Sequence, residues 1–200
     1  MIVNLRWLGL GEKAADPRIR AVYDALVRQA REPVFYTSYG VPDTITGRFD
    51  LIVLHTFFFF YRIKEADDAL RDFGQEVFDT FFEDMDRSLR EMGVGYQAVP
   101  KRIKKMGEAF YGRVTAYDNA LTSGEDAEIA EALHRNLFPD LEVAPDNLDG
   151  LVRYVRACVD AMTACDRPAL IEAEFILPDP AAFLIDDQTT PGSQDGTEEQ

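Results

Sequence analysis

Histidine, cysteine and tryptophan are nearly missing from this chain: its 200 residues hold two His, two Cys and one Trp. No CxxC pair or Cys/His cluster is among them, which excludes a zinc site. Cys158 and Cys165 lie seven residues apart on what reads as one helix. At 1.5 Å per residue that is about 10 Å, too far for a bridge, so they read as free buried thiols of a reducing compartment. A long apolar run is missing too. The stretch from Leu51 to Tyr61 includes His55 and Thr56, and it falls well short of the ~20 residues that span a bilayer. The first residues, MIVNLRWLGLGEKAADPR, have neither the continuous apolar centre of a signal peptide nor the acid-poor character of a transit peptide. The simplest expectation is a bacterial, cytoplasmic protein. After Arg167 there is no Lys or Arg at all.

What is present is acid and hydrocarbon. Asp and Glu total 36 against 21 Lys and Arg, for a formal net charge of −15 and a pI near 4.5. That balance argues against nucleic acid over the whole surface, and DNA is not an expected partner; a local basic patch can still touch RNA or anionic lipid. With 46% hydrophobic and 12% aromatic residues the chain suffices for one domain with a real core. We expect a helical domain over 1–185 and an acidic, disordered Pro/Gly/Ser/Thr-rich tail over 186–200.

Apolar residues recur with helical spacing along most of the chain. DPRIRAVYDALVRQAR offers Asp16 as cap, Pro17 at the first helical position and one stripe of Ile19, Val22, Tyr23, Leu26, Val27 and Ala30. EPVFYTSYGVPDTITG reads as a long ordered loop. RFDLIVLHTFFFFYRIKEAD reads as a central helix buried on nearly all sides; a buried strand is the alternative, set aside because no second strand candidate can pair with it. Asp67 to Glu91 carries Leu70, Phe73, Val77, Phe78, Phe81, Phe82, Met85 and Leu89 inward and closes at Gly93 and Gly95. Pro100 opens the next helix, with Ile103, Met106, Phe110, Val114, Tyr117 and Leu121 facing in. Two amphipathic pieces follow, near Glu125 to Asn136 and Asn147 to Asp166. The fold class is all-α, a single-domain bundle of about six helices.

Several residues invite a chemical reading. Glu131 and His134 form an E-x-x-H pair, but a di-iron bundle needs a second pair and two more Glu, so a surface Glu and His is preferred. His55 has no Ser or Cys nucleophile motif beside it and reads as a core histidine bonded to a backbone carbonyl. Asp68 with Asp72, and Asp79 with Glu83, repeat a one-turn spacing that can hold magnesium and a diphosphate. A magnesium-dependent prenyl or diphosphate enzyme is therefore the alternative function, against solvated helix faces as the ordinary reading. No cofactor, metal or catalytic residue is expected.

The sharpest local misfit is VPKRIKKMGE. Lys101, Arg102, Lys104 and Lys105 crowd five positions at a helix start, where the macrodipole opposes each cation by about 0.3 to 1 kcal/mol. We expect a docking surface for a polyanion, ribosomal RNA or anionic headgroups, widened by Arg113 and by Arg87 and Arg90, with a solvated face as the alternative.

FYTSYGVPDTITGRFDLIVLH, FDTFFEDMDRSLREMGVG and VPKRIKKMGEAFYGRVTAYDNAL, in that order and at that spacing, resemble the ubiquinol-cytochrome c chaperone family, well over Asp16 to Leu121 and only generally beyond. Family members tend to carry an acidic residue where this chain has Tyr96, and mixed aliphatic residues where it has Phe57 to Phe60. The resemblance implies a non-enzymatic assembly factor that binds newly made cytochrome b and supports assembly of the cytochrome bc complex. Mitochondrial relatives act with a small partner protein and associate with the ribosome. It also implies a site of action at the cytoplasmic face of the inner membrane. A surface of −15 would attract the Lys- and Arg-rich loops of a membrane client. We expect a monomeric or weakly associated domain with an exposed apolar groove bordered by Phe35, Tyr36, Tyr39 and Val41, because that loop is too aromatic to be merely solvated; packing of the loop into its own core is the alternative.

Overall fold

Asp16 accepts the Arg18 amide at 3.0 Å and Pro17 follows at once, so helix α1 (Pro17–Ala30) starts where the sequence places it. The structure is a computed structural model that describes residues 16–185. The tail expected over 186–200 lies outside the described residues. In chain order come α1, α2 (Val34–Thr37), α3 (Ile45–Ile63), α4 (Asp68–Glu91), α5 (Val99–Ser123), α6 (Asp126–Leu137), α7 (Pro145–Ala164), α8 (Arg167–Ile171) and a 3₁₀ turn at Pro180–Phe183. There is no strand among the described residues. Six of the eight α-helices among the described residues are the long ones expected. The other two, α2 and α8, have four and five residues, too few to show a period.

Helix α3 runs through the middle, packed by α1, α4, α5, α6 and α7. From Phe49 to Phe60 every residue is buried, which is why its hydrophobicity has no polar face. Full burial of a Phe is worth about 1.5 to 3 kcal/mol, and Phe57, Phe58, Phe59 and Phe60 are each at most 3% exposed. Neighbouring rings close around them: Phe60 meets Phe78 and Phe110 edge-on at 6.3 and 6.0 Å. Thr44 caps α3 by accepting the Gly47 amide at 3.1 Å. Gly47 has to be glycine, because a Cβ there would sit 2.1 Å from the Pro42 carbonyl oxygen.

Helix α4 ends in a Schellman turn. Val94 N–H reaches the Leu89 carbonyl and Gly93 N–H reaches Arg90, with Gly93 at φ +79° as that turn needs. The tight reversal lays α5 back along α4. At the other end of the chain Ala173 takes φ +58° in the corresponding position after α8, and Glu174 N–H closes on the Ala169 carbonyl at 2.8 Å. From there residues 174–184, irregular as far as Asp179 and then forming the 3₁₀ turn, cross α1, α2 and α7.

Candidate functional site

The four clustered cations are brought together on the outside of α5. At about 100° per residue, Lys104, Lys101, Lys105 and Arg102 span an arc of roughly 160°, opposite the inward Val99, Ile103, Gly107 and Phe110. All four are exposed. Among the described residues, Lys104 has a weak partner, Glu108 at 3.8 Å, and no ion pair is formed by the other three. The expected widening by neighbouring arginines takes a different form. Arg87 is paired to Asp84 at 3.0 Å and Arg90 to Asp86 at 2.5 Å, so α4 largely neutralises its own cations.

Arg113 leaves the cluster altogether. Its Nε lies 2.8 Å from Oδ1 of Asp50, a carboxylate 1% exposed on α3. Its guanidinium also stands 5.7 Å from the Phe49 ring, and its Nη1 donates to the Ala109 carbonyl. Burial pushes the Asp50 carboxyl up to about 7 even though the Arg113 charge pulls the other way. Tyr117, facing Asn136 and the same pair, is raised chiefly by burial. The exposed basic cluster is therefore these four residues, without Arg113.

The aromatic loop is also interior. Phe35 and Tyr39 are 0% and Val41 2% exposed, and Tyr36 alone keeps part of its surface. Three of the four residues thus pack into the core, as the alternative reading of the loop has it, while Tyr36 stays half-exposed. Part of the physical reason is the segment 174–184, which lies against α2 and Tyr39. Tyr39 Oη donates to the Pro180 carbonyl at 2.8 Å, Gln29 Nε2 to Pro178 at 2.8 Å and Arg153 Nη2 to Phe183 at 2.9 Å. Three side chains from α1, the loop and α7 thus hold a strap by its main chain. Gly150 lets it lie close, since a Cβ there would come 2.7 Å from the Phe183 oxygen.

Beneath the strap lies His55, 0% exposed. Its Nδ1 is 2.7 Å from the Leu51 carbonyl, which can only accept, so the proton is on Nδ1. Nε2 then accepts from Tyr154 Oη at 2.8 Å, and that oxygen takes the Gln29 amide at 3.2 Å. Burial holds the imidazole down at about 4. Neutral and fully bonded, His55 is the core histidine expected of it. Cys158, buried below Tyr154, has its thiol pushed up to about 12 by burial, and both cysteines are free.

The remaining candidates are scattered. Glu131 pairs with Arg135 at 3.4 Å, while His134 lies 3.2 Å from the Leu141 carbonyl. Asp68 pairs with Arg71 and is 90% exposed. Asp79 accepts from Gln75 at 2.8 Å, and Asp72 and Glu83 are exposed. None of these four acids lines the cleft between α3 and α5, of about 290 Å³. That cleft has an aromatic floor of Phe57, Phe60 and Phe110 and a rim where Lys64 meets Asp118 at 3.0 Å and stands 4.1 Å over the Tyr61 ring. No sequence period pointed to it, because its two walls are about 50 residues apart.

Geometry alone thus defines an all-α domain with a basic tip, a strapped aromatic core and an aromatic-floored cleft. Over residues 37–177 the chain matches the family model described as Ubiquinol-cytochrome C chaperone, and it belongs to that family. The match runs well beyond Leu121. It is 27% identical over 150 residues to the Xenopus laevis ubiquinol-cytochrome-c reductase complex assembly factor 1, covering 75% of this chain and 74% of that protein. Against mitochondrial protein CBP3 of Saccharomyces cerevisiae the identity is 28% over 60% of this chain, and the chain spans only 37% of the yeast protein. Among solved structures, that of the Cbp3 homolog from Brucella abortus superposes with a TM-score of 0.75 at 40% identity, covering 84% of this chain and 92% of that one. No described helix is long and apolar enough to cross a membrane.

Proposed function

We propose that this protein is a non-enzymatic assembly chaperone for the ubiquinol-cytochrome c reductase complex, and that its client is newly synthesised cytochrome b. The observation that carries the reading is the family match over residues 37–177, supported by the assembly-factor names of its relatives. The arrangement of side chains agrees with it: the one buried histidine is neutral and bonded at both nitrogens, and the paired acids of α4 face solvent or local partners. We place its action at the cytoplasmic face of the inner membrane. The α3–α5 cleft is where we propose that an apolar client side chain is received, with Tyr61, Tyr111 and Val114 as its walls. Lys101, Arg102, Lys104 and Lys105 are proposed as the contact to a polyanion, ribosome or membrane, and a small partner protein is a further proposed partner. Deleting the gene tests the central reading. The expected result is loss of assembled cytochrome bc complex with other membrane complexes intact; an undiminished complex would overturn it.

A further inference from the structure

The turn between α4 and α5 puts two exposed apolar side chains beside the exposed cations. Tyr96 is 80% and Met92 48% exposed, and both lie within the short reversal that leads into α5. Residues 95–99 already coil: Ala98 and Val99 N–H groups bond the Gly95 carbonyl at 2.8 and 3.3 Å. The tyrosine ring therefore stands on an ordered turn at the tip. Arg90, 5.3 Å from the ring centroid, covers one of its faces and leaves the other face and the hydroxyl outward. From Val99 to Glu108 the sequence holds four cations and one carboxylate. The chain as a whole is acidic, with a net charge of −15.

We propose that this tip docks on a bilayer containing anionic phospholipid, with Tyr96 and Met92 entering the interfacial layer and Lys101, Arg102, Lys104 and Lys105 against the headgroups. Cations supply attraction within a Debye length of about 8 Å at physiological salt. Tyrosine is the residue that settles at the headgroup level, apolar ring inward and hydroxyl at the water. Methionine adds a flexible apolar chain that a bilayer accepts readily. A single-stranded nucleic acid would also take the cations and stack on an open ring, but here one face of the ring is occupied by Arg90 and its exposed neighbour is aliphatic. Orientation follows from the same charges. Helix α5 has 25 residues, a length of about 37 Å, so acids at its far end lie several Debye lengths away from a surface touched by the tip.

The proposal rests on the assembly-factor reading only for a place of action at a membrane. It is tested by flotation of the full chain with vesicles of phosphatidylcholine alone and of phosphatidylcholine with phosphatidylglycerol. Expected is binding to the anionic vesicles only, weakening steeply with salt. Reversing Lys101, Arg102, Lys104 and Lys105 to Glu should reduce it by more than about 100-fold, at roughly five-fold or more per cation. Tyr96→Ser with Met92→Ser should reduce it about ten-fold and leave the salt dependence in place. Far-ultraviolet circular dichroism checks that both variants stay helical, as exposed substitutions should. A Tyr96→Trp variant on a Trp7→Phe background reports insertion directly: brominated acyl chains should quench the introduced indole. The inference is overturned if the wild-type chain does not float with anionic vesicles, if it floats equally with neutral ones, or if the indole is not quenched. It is overturned as well if purified ribosomes strip the chain from vesicles at equal phosphate concentration, which would assign the cluster to RNA. Failure here with the complex still lost on gene deletion leaves the assembly function standing; vesicle binding with an undiminished complex does the reverse.

Discussion

Two sets of cations on the same helix meet opposite fates. Lys101 to Lys105 point to water with scarcely a partner, while Arg113, eight residues further along α5, turns inward to Asp50. A sequence neighbour cannot decide between the two, because the deciding carboxylate comes from α3, 63 residues away. The difference teaches where charge matters to stability in this protein. An exposed cation exchanges water for little, whereas Arg113 is what keeps a buried carboxylate from standing alone.

The largest expected effect breaks the buried half of that comparison. Arg113→Ala should destabilise by about 3 to 5 kcal/mol, since it leaves Asp50 unpaired; urea unfolding measures it. Asp50→Leu with Arg113→Leu should recover most of the loss, and a double variant as unstable as the single one would show that the pair is not the cause. Next come changes at the strap. Gly150→Ala should cost about 1 to 3 kcal/mol because its methyl meets the Phe183 oxygen, and Tyr154→Phe a similar amount by leaving His55 Nε2 without a donor. Ala173→Gly, relieving φ +58°, should go the other way by roughly 0.5 to 1 kcal/mol.

A subtler effect sets Asp50 against His55. Asp50 is raised from 3.8 to about 7, so between these values the native state holds a proton that the unfolded chain has released, and stability falls as pH rises. His55 is lowered from 6.5 to about 4, so over that span the unfolded chain holds the extra proton and stability rises with pH. Each slope is at most about 1.4 kcal/mol per pH unit, and between about pH 4 and 6.5 they oppose. Asp50→Asn should therefore unmask a rise in thermal midpoint over that range. A profile unchanged from wild type would contradict the raised Asp50. The smallest effect belongs to the exposed cations: reversing all four to Glu should leave stability within about 1 kcal/mol of wild type, on the stabilising side because acids suit a helix start. A large fall would mean that the cluster has a structural role.

Helices were legible wherever one face repeats. The stripe Ile19, Val22, Tyr23, Leu26, Val27 and Ala30 is the buried face of α1 without exception, and α3 was separable from a strand because nothing else in the chain could pair with it. On α5 the expected face is rotated slightly: Ile103, Phe110 and Tyr117 are buried, but Met106, Val114 and Leu121 are only half-buried, and Gly107 and Ala120 take their place. Small residues carry little hydrophobic signal and are easily passed over. Of the site, the exposed cluster was legible and the inward turn of Arg113 was not, while the burial of Phe35 and Tyr39 stood as the alternative reading of their loop. Each depends on a partner far along the chain, and the strap shows in sequence only a short apolar stretch ahead of the acidic tail. Its hold is by side chains on backbone carbonyls, a kind of recognition that leaves no pattern in the residues being held.

That strap also sets an order in time. Every element it covers precedes it on the ribosome, and Leu184 is added thirty residues after Tyr154, roughly 1.5 to 6 s later at ordinary rates of synthesis. Until then the hydroxyl of Tyr39 has no carbonyl to meet, and the aromatic face it shares with Phe35 and Tyr154 is bare. For those seconds the growing chain presents the same sticky, half-finished surface as any unfolded client, and its own last segment is the latch that closes it.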